Sequence, residues 1–178
     1  MRVDKDVECS ASELQQRMLY QDCIMGSVCN KFFRRELIAG LIFDETLTHC
    51  EDMHFVSQVL KQARRAKVLI SPSITYVYQL NSASATRDCD KLLDGTGRLK
   101  YVQALEKIMQ MYPHNMRMWL LIRSCQFRLI EEHLDVFEKN PRARSQLAKS
   151  ALRYVFAYLV CRKRHPLRER LLRTLRVI

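Results

Sequence analysis

Two groups of side chains in this chain have the types and spacing to do chemistry. Glu51 and Asp52 are adjacent carboxylates heading a segment with helical apolar spacing. A positioned carboxylate can take a proton from a hydroxyl. Acids in a first helical turn also have a structural role, because they complement the positive end of the macrodipole and accept free backbone N–H groups. Spacing alone favours the structural role. The second group is Cys29-Asn30-Lys31-Phe32-Phe33-Arg34-Arg35, both basic and aromatic. Lys31, Arg34 and Arg35 can pair with phosphate or another anion. The competing reading is a solvated basic turn beside two core phenylalanines, and both stay open on the residues alone.

His49, Cys50 and His54 do not read as a zinc site, because histidines five apart do not share a helical face. Seven cysteines occur without a C-x-x-C pair and leave one over if paired, so neither a disulfide framework nor structural zinc is expected. Most read as buried small hydrophobes in a reducing cytosol.

The elements that must position these residues follow from periodicity. Residues 1–13 read as a polar loop or helix start, and helical spacing begins at Leu14 with Met18 and Leu19. Residues 24–33 read as extended chain broken at Gly26, followed by a short helix over 34–39 that Gly40 stops. Thr48 or His49 is expected to cap the next helix, whose stripe is Met53, Val56, Val59, Leu60 and Ala63. Residues 66–70 and 74–80 read as strands around a Ser71-Pro72 turn. Beyond Asn81 the pattern is helical, over 91–112, 115–139, 144–164 and 167–178.

The order of these motifs resembles the acceptor half of family 2 glycosyltransferases. There an N-K-L-[FY]-R-R run precedes E-D-M-x-F, as Asn30 to Arg35 precede Glu51-Asp52-Met53-His54-Phe55 here. The segment from Ile74 to Ser84 is similar to the family's Y-x-Y-R strand and S-x-[TS] loop, with Gln79 where those enzymes carry Arg. The resemblance spans about Leu14 to Arg87. It implies an α/β fold: a partial A-type glycosyltransferase fold over 1–88, a few strands plus the acid helix. An all-helical segment over 89–178 follows, so the whole is helix-dominated. It implies an inverting transferase moving a sugar from a nucleotide sugar to a saccharide or lipid-linked hydroxyl, in cell-surface polysaccharide or glycolipid synthesis. Asp52 would be the general base and Glu51 its orienting neighbour. Asn30, Lys31, Arg34, Arg35 and, from the loop, Arg87 would bind substrate. Mg²⁺ or Mn²⁺ would be held by the family's D-x-D, which follows a buried apolar strand. Asp4-Lys5-Asp6 has only Met1-Arg2-Val3 before it and does not match. The donor-binding half is thus expected upstream or on a separate chain.

Charge adds a second theme. The chain of 178 residues carries a net +11, yet residues 1–141 hold 19 Lys/Arg against 18 Asp/Glu. Residues 142–178 hold 11 Lys/Arg against Glu169 alone. Such a tail suits an anionic surface. Leu167, Leu171, Leu175 and Ile178 form an apolar stripe beside its arginines, which fits a membrane interface better than nucleic acid. The N-terminus lacks an apolar signal region. The longest strongly apolar run, Tyr154 to Cys161, is too short to span a bilayer. The expected location is therefore cytoplasmic, on the inner membrane surface. The alternative function is a non-catalytic basic helical protein that binds an anionic membrane or nucleic acid.

Overall fold

The computed structural model describes residues 4–20, 26–64, 66–73, 76–77, 79, 92–134, 137 and 140–161. Strand β1 (Val7–Ser10) leads directly into helix α1 (Ala11–Tyr20), and Ser10 caps it by accepting the Glu13 N–H at 3.1 Å. The segment read as a polar loop or helix start thus holds a strand that the reading missed, over Val7–Ser10, and then the helix start at Ala11. Only Cys9 of the four strand residues is buried, so the alternation was too brief to stand out. Helix α2 (Arg35–Ile38) is a single turn, and Gly40 at φ 76° lets the chain leave it. Helix α3 (Glu51–Gln62) and strand β2 (Lys67–Ile70) follow, each close to its expected span. β2 pairs antiparallel with β1, Val7 opposite Ile70 and Ser10 opposite Lys67.

The second half is helical: α4 (Lys100–Gln110), α5 (Met116–His133), α6 (Pro141–Leu152) and α7 (Val155–Cys161). Side-chain caps fix two of the starts. Asn115 accepts the Met118 N–H at 3.0 Å, and Asn140 accepts the Ala143 N–H at 3.1 Å with Pro141 in the first turn. α4 starts nine residues later than the periodicity suggested. Asp94 explains the delay, because its carboxylate gathers the N–H groups of Thr96 and Arg98 into a turn with Gly97 at φ 77°. The helix expected over 144–164 is two helices, parted at Arg153-Tyr154. Tyr76, Val77 and Gln79 belong to no strand, while 74, 75, 78 and 80, like the stripe over 167–178, lie outside the described residues.

The architecture is therefore helix-dominated with a small two-stranded antiparallel sheet. α5 is its axis, packing on α1, α4, α6 and α7, while α3 packs on α1 and α4. One buried cluster runs from Cys9 through Met18, Val56, Leu105 and Ile122 to Tyr158, drawing on both sides of residue 88. The polar groups inside it are tied together. Gln15 Nε2 donates to Ser57 Oγ at 3.2 Å, and Ser57 donates to the Met53 carbonyl at 2.7 Å.

Two carboxylates clamp the loops and give the fold an acid limit. Lys107 and then Thr46 hold the Asp44 carboxyl at about 2, below its ordinary 3.8. Burial pushes Asp94 up, but hydrogen bonds from Thr96, Arg98 and Gln103 outweigh it and leave that group also at about 2. A depressed pKa in the folded state stabilises the fold above the unfolded value, and the gain vanishes as pH falls through the folded one. Melting temperature should therefore drop between about pH 4 and pH 2. An Asp44→Asn/Asp94→Asn double variant should start lower at neutral pH and fall less steeply; parallel curves would refute this account.

Candidate acid site at the start of helix α3

Helix α3 begins without a side-chain cap. Cys50 occupies the capping position in the left-handed region, at φ 58°, and its carbonyl accepts the His54 N–H at 3.0 Å. Thr48 and His49, the expected caps, are engaged elsewhere. The Thr48 hydroxyl meets His49 Nδ1 at 3.2 Å, and the buried His49 ring packs edge-on against Tyr101 at 5.2 Å. Glu51 and Asp52 stand in the uncapped first turn, where the dipole favours negative charge.

A loop over residues 26–31 lies across this turn. Gly26 makes the approach possible, since a Cβ there would sit 2.7 Å from Met53 Cβ. Ser27 Oγ and the Val28 N–H then donate to Asp52 Oδ2 at 3.3 and 3.4 Å. Asp52 Oδ1 has no hydrogen-bond partner among the described residues. The loop turns at Asn30, φ 60°, a residue type that tolerates the left-handed region. Asn30 and Cys50 are the two non-glycine residues with positive φ among those described, and they flank the same carboxylate. Such conformations cost about 1–3 kcal/mol each and persist where the surroundings over-determine them.

Lys31 folds back over the loop, its Nζ donating to the Ser27 carbonyl at 2.5 Å and to Asn30 Oδ1 at 3.4 Å. Burial pushes its ammonium down, and the charges of Asp52 and Cys29 oppose that shift. Cys29 is held below its ordinary value by hydrogen bonds, first from Ser27 and then from Tyr76, which brings the Tyr76 hydroxyl into the same group. A carboxylate anchored through one oxygen, with no partner for the other among the described residues, thus interacts electrostatically with an ammonium and a thiol. That arrangement can accept a proton and hold a neighbouring anion.

The structure brings Asn30, Lys31 and Asp52 together. Glu51 acts elsewhere: after burial and Cys125 it raises the pKa of the partly buried Cys50 thiol, and after burial and Cys50 it raises that of Tyr101. Asp52 is oriented by Ser27 and Val28 rather than by its acidic neighbour. Arg34 and Arg35 are exposed around the start of α2, without an ion pair among the described residues, and Arg87 lies outside those residues. Phe32 is not a core residue, being 89% exposed, whereas Phe33 packs edge-on against Phe55, which also stacks on Phe43 at 4.4 Å. Reasoning from sequence passed over Ser27, Cys29 and the role of Gly26. The glycine four residues before Asn30 was the available signal, since both permit backbone that other residues resist.

Among the described residues no three His, Cys, Asp or Glu side chains converge on one point. The charge that Asp52 acts on across the loop is the Lys31 ammonium. The donor set that Mg²⁺ or Mn²⁺ requires, several oxygens around one centre, is not supplied here. No protein-family model matches the chain, and neither a curated protein nor a solved structure matches it.

Proposed function

We propose that this chain carries the acceptor side of an inverting family 2 glycosyltransferase of the A-type fold, with Asp52 as general base. The observation that carries the reading is the state of this carboxylate: Oδ2 is tied to Ser27 and Val28, while Oδ1 accepts no hydrogen bond from the described residues. Oδ1 takes the proton of an acceptor hydroxyl as its oxygen bonds to the sugar's anomeric carbon. The bond from that carbon to the nucleoside diphosphate breaks, the diphosphate leaves with the electron pair, and the configuration inverts. Lys31, Arg34, Arg35 and Arg87 supply cations for an anionic acceptor or the leaving group. Glu51 contributes negative charge at the helix start, and Asn30 shapes the turn that presents Lys31. The divalent ion and its D-x-D belong to a donor-binding half that must be fused or supplied in trans. The test is transfer of labelled sugar from UDP- or GDP-sugars to a lipid-linked acceptor by the reconstituted pair. A pair that folds and binds the donor but transfers nothing would overturn the reading.

The membrane surface is the proposed place of this reaction, and it is also where a non-catalytic basic helical protein would sit. Arg142, Arg144, Lys149 and Arg153 are exposed on and just after α6, and Leu152 and Phe156 beside them are 56% and 69% exposed. Exposed apolar groups among cations suit the boundary between headgroups and acyl chains. No helix among the described residues is long and apolar enough to cross a membrane. Residues 142–178 should co-sediment the chain with vesicles containing phosphatidylglycerol and not with phosphatidylcholine alone. Each basic residue near the surface adds roughly 1 kcal/mol, weakened by salt. Equal binding to both lipids, or tighter binding to RNA, would refute the proposed surface.

A further inference from the structure

We infer that a second site, built from the helical half, binds a small phosphate monoester with a ring in its body. A cleft of about 460 Å³ opens between α4, α5 and the corner joining α6 to α7. Its walls are Arg98, Glu106, Trp119, Arg123, Arg153 and Tyr154. None of these residues belongs to the acid site, so the inference stands apart from the proposed transferase activity.

The cleft carries a net positive charge. Three guanidinium groups face one carboxylate. Glu106 pairs closely with Arg98, at 2.7 Å, and only marginally with Arg123, at 4.0 Å. The Arg153 side chain is exposed and makes no hydrogen bond or ion pair among the described residues. A purely structural ion-pair cluster would balance its charges, whereas this one keeps an excess of two positive charges. A phosphate monoester carries close to two negative charges at neutral pH and offers three acceptor oxygens.

Arg123 lies over the Trp119 ring at 5.6 Å and over the Tyr154 ring at 5.1 Å, and donates to Gln126 Oε1 at 3.0 Å. Its guanidinium is therefore fixed before any ligand arrives, which lowers the ordering cost of binding. Arg98 is likewise held, by Glu106 and by the Tyr154 hydroxyl. Trp119 is 39% exposed on the wall, where its ring face can stack on a sugar or base. The volume lies in the range of small-molecule sites.

Trp119 is the chain's one tryptophan, so its fluorescence reports on the cleft directly. The isolated chain, at low salt, should be titrated with glucose 1-phosphate, with AMP, with inorganic phosphate and with glucose. Fluorescence follows the sugar compounds and phosphate, and calorimetry follows AMP. At least one ester should saturate with a submillimolar Kd, about tenfold or more tighter than inorganic phosphate, and glucose should not bind. Whichever ester binds tighter identifies the ring as sugar or base. Arg153→Ala should weaken ester binding about tenfold or more, as expected for loss of a charge-assisted contact. Arg153→Lys, which keeps the charge without the fork, should fall between the two. Glu106→Gln should tighten binding several-fold, because it frees Arg98 and Arg123. The inference fails if neither ester saturates by about 10 mM, on the scale where 1 mM is already weak binding. It fails equally if inorganic phosphate binds as tightly as both esters, or if a folded Arg153→Ala chain binds them like the parent.

Discussion

Asp52→Asn should abolish most sugar transfer by the reconstituted enzyme and leave the fold standing. The amide keeps an oxygen that can accept from Ser27 and Val28, so the loop over residues 26–31 retains its anchor on α3. What disappears is the capacity to take a proton at the open oxygen. General base catalysis is worth about 10²–10⁴-fold, so turnover should fall by at least about two orders of magnitude. Removing a charge from a first helical turn costs only about 0.3–1 kcal/mol, a small change in melting temperature. If Asp52 merely complements the helix dipole, the pattern reverses: stability drops modestly and turnover survives. Rate and melting temperature measured on the same preparation separate the two. An Asn variant with parental turnover would remove the base from this position.

Ile122→Ala should cost the most stability of any single truncation proposed for this chain. Ile122 is fully buried on α5, the helix that touches α1, α4, α6 and α7. Large-to-small changes at such sites cost about 2–5 kcal/mol, because the cavity collapses only partly. For a chain of this size each kcal/mol lowers the melting temperature by about 2–4 °C. The buried cluster spans both sides of residue 88, so the loss should be shared. Far-UV circular dichroism and Trp119 fluorescence should report one coincident transition, before and after the substitution. Two separated transitions would mean that the strand–helix opening and the later helices melt as independent units.

The parts of this fold that were legible in the sequence are those with a long period or a strong punctuation mark. The α3 stripe repeats along the helix, and Asn115 marks a helix start that the structure keeps, whereas Asn140-Pro141, read as the end of one helix, in fact caps and opens the next. β1 was hidden because four residues give too short an alternation. The late start of α4 was hidden because it depends on one carboxylate collecting several backbone donors, a three-dimensional arrangement that no spacing encodes. The acid site divided in the same way. Asp52, Asn30 and Lys31 were readable as motif residues. The bond from Ser27 to Asp52 joins positions 25 apart, and nothing in either neighbourhood announces it. Phe32 and Phe33 look alike in sequence, yet one faces solvent and the other packs on Phe55, because a turn decides which side of the chain meets α3.

Pairing β1 with β2 also decides when the acid site comes into existence. Residues 11–66 form a closed loop whose ends are tied by the ladder, and Gly26, Ser27, Lys31 and Asp52 all lie inside it. Helices α1 and α3 can form on a sub-microsecond scale by local contacts, whereas closing a pairing so distant in sequence is slow. Added length within the loop changes the closure entropy little, about 0.6 kcal/mol per doubling. Extra residues around Gly40, where a Cβ would meet open space, therefore leave the site's energetics nearly unchanged. A backbone cut between Lys31 and Glu51 acts differently. Both helices keep their own hydrogen bonds, but the two pieces no longer share a tether, and the carboxylate loses the partner that orients it.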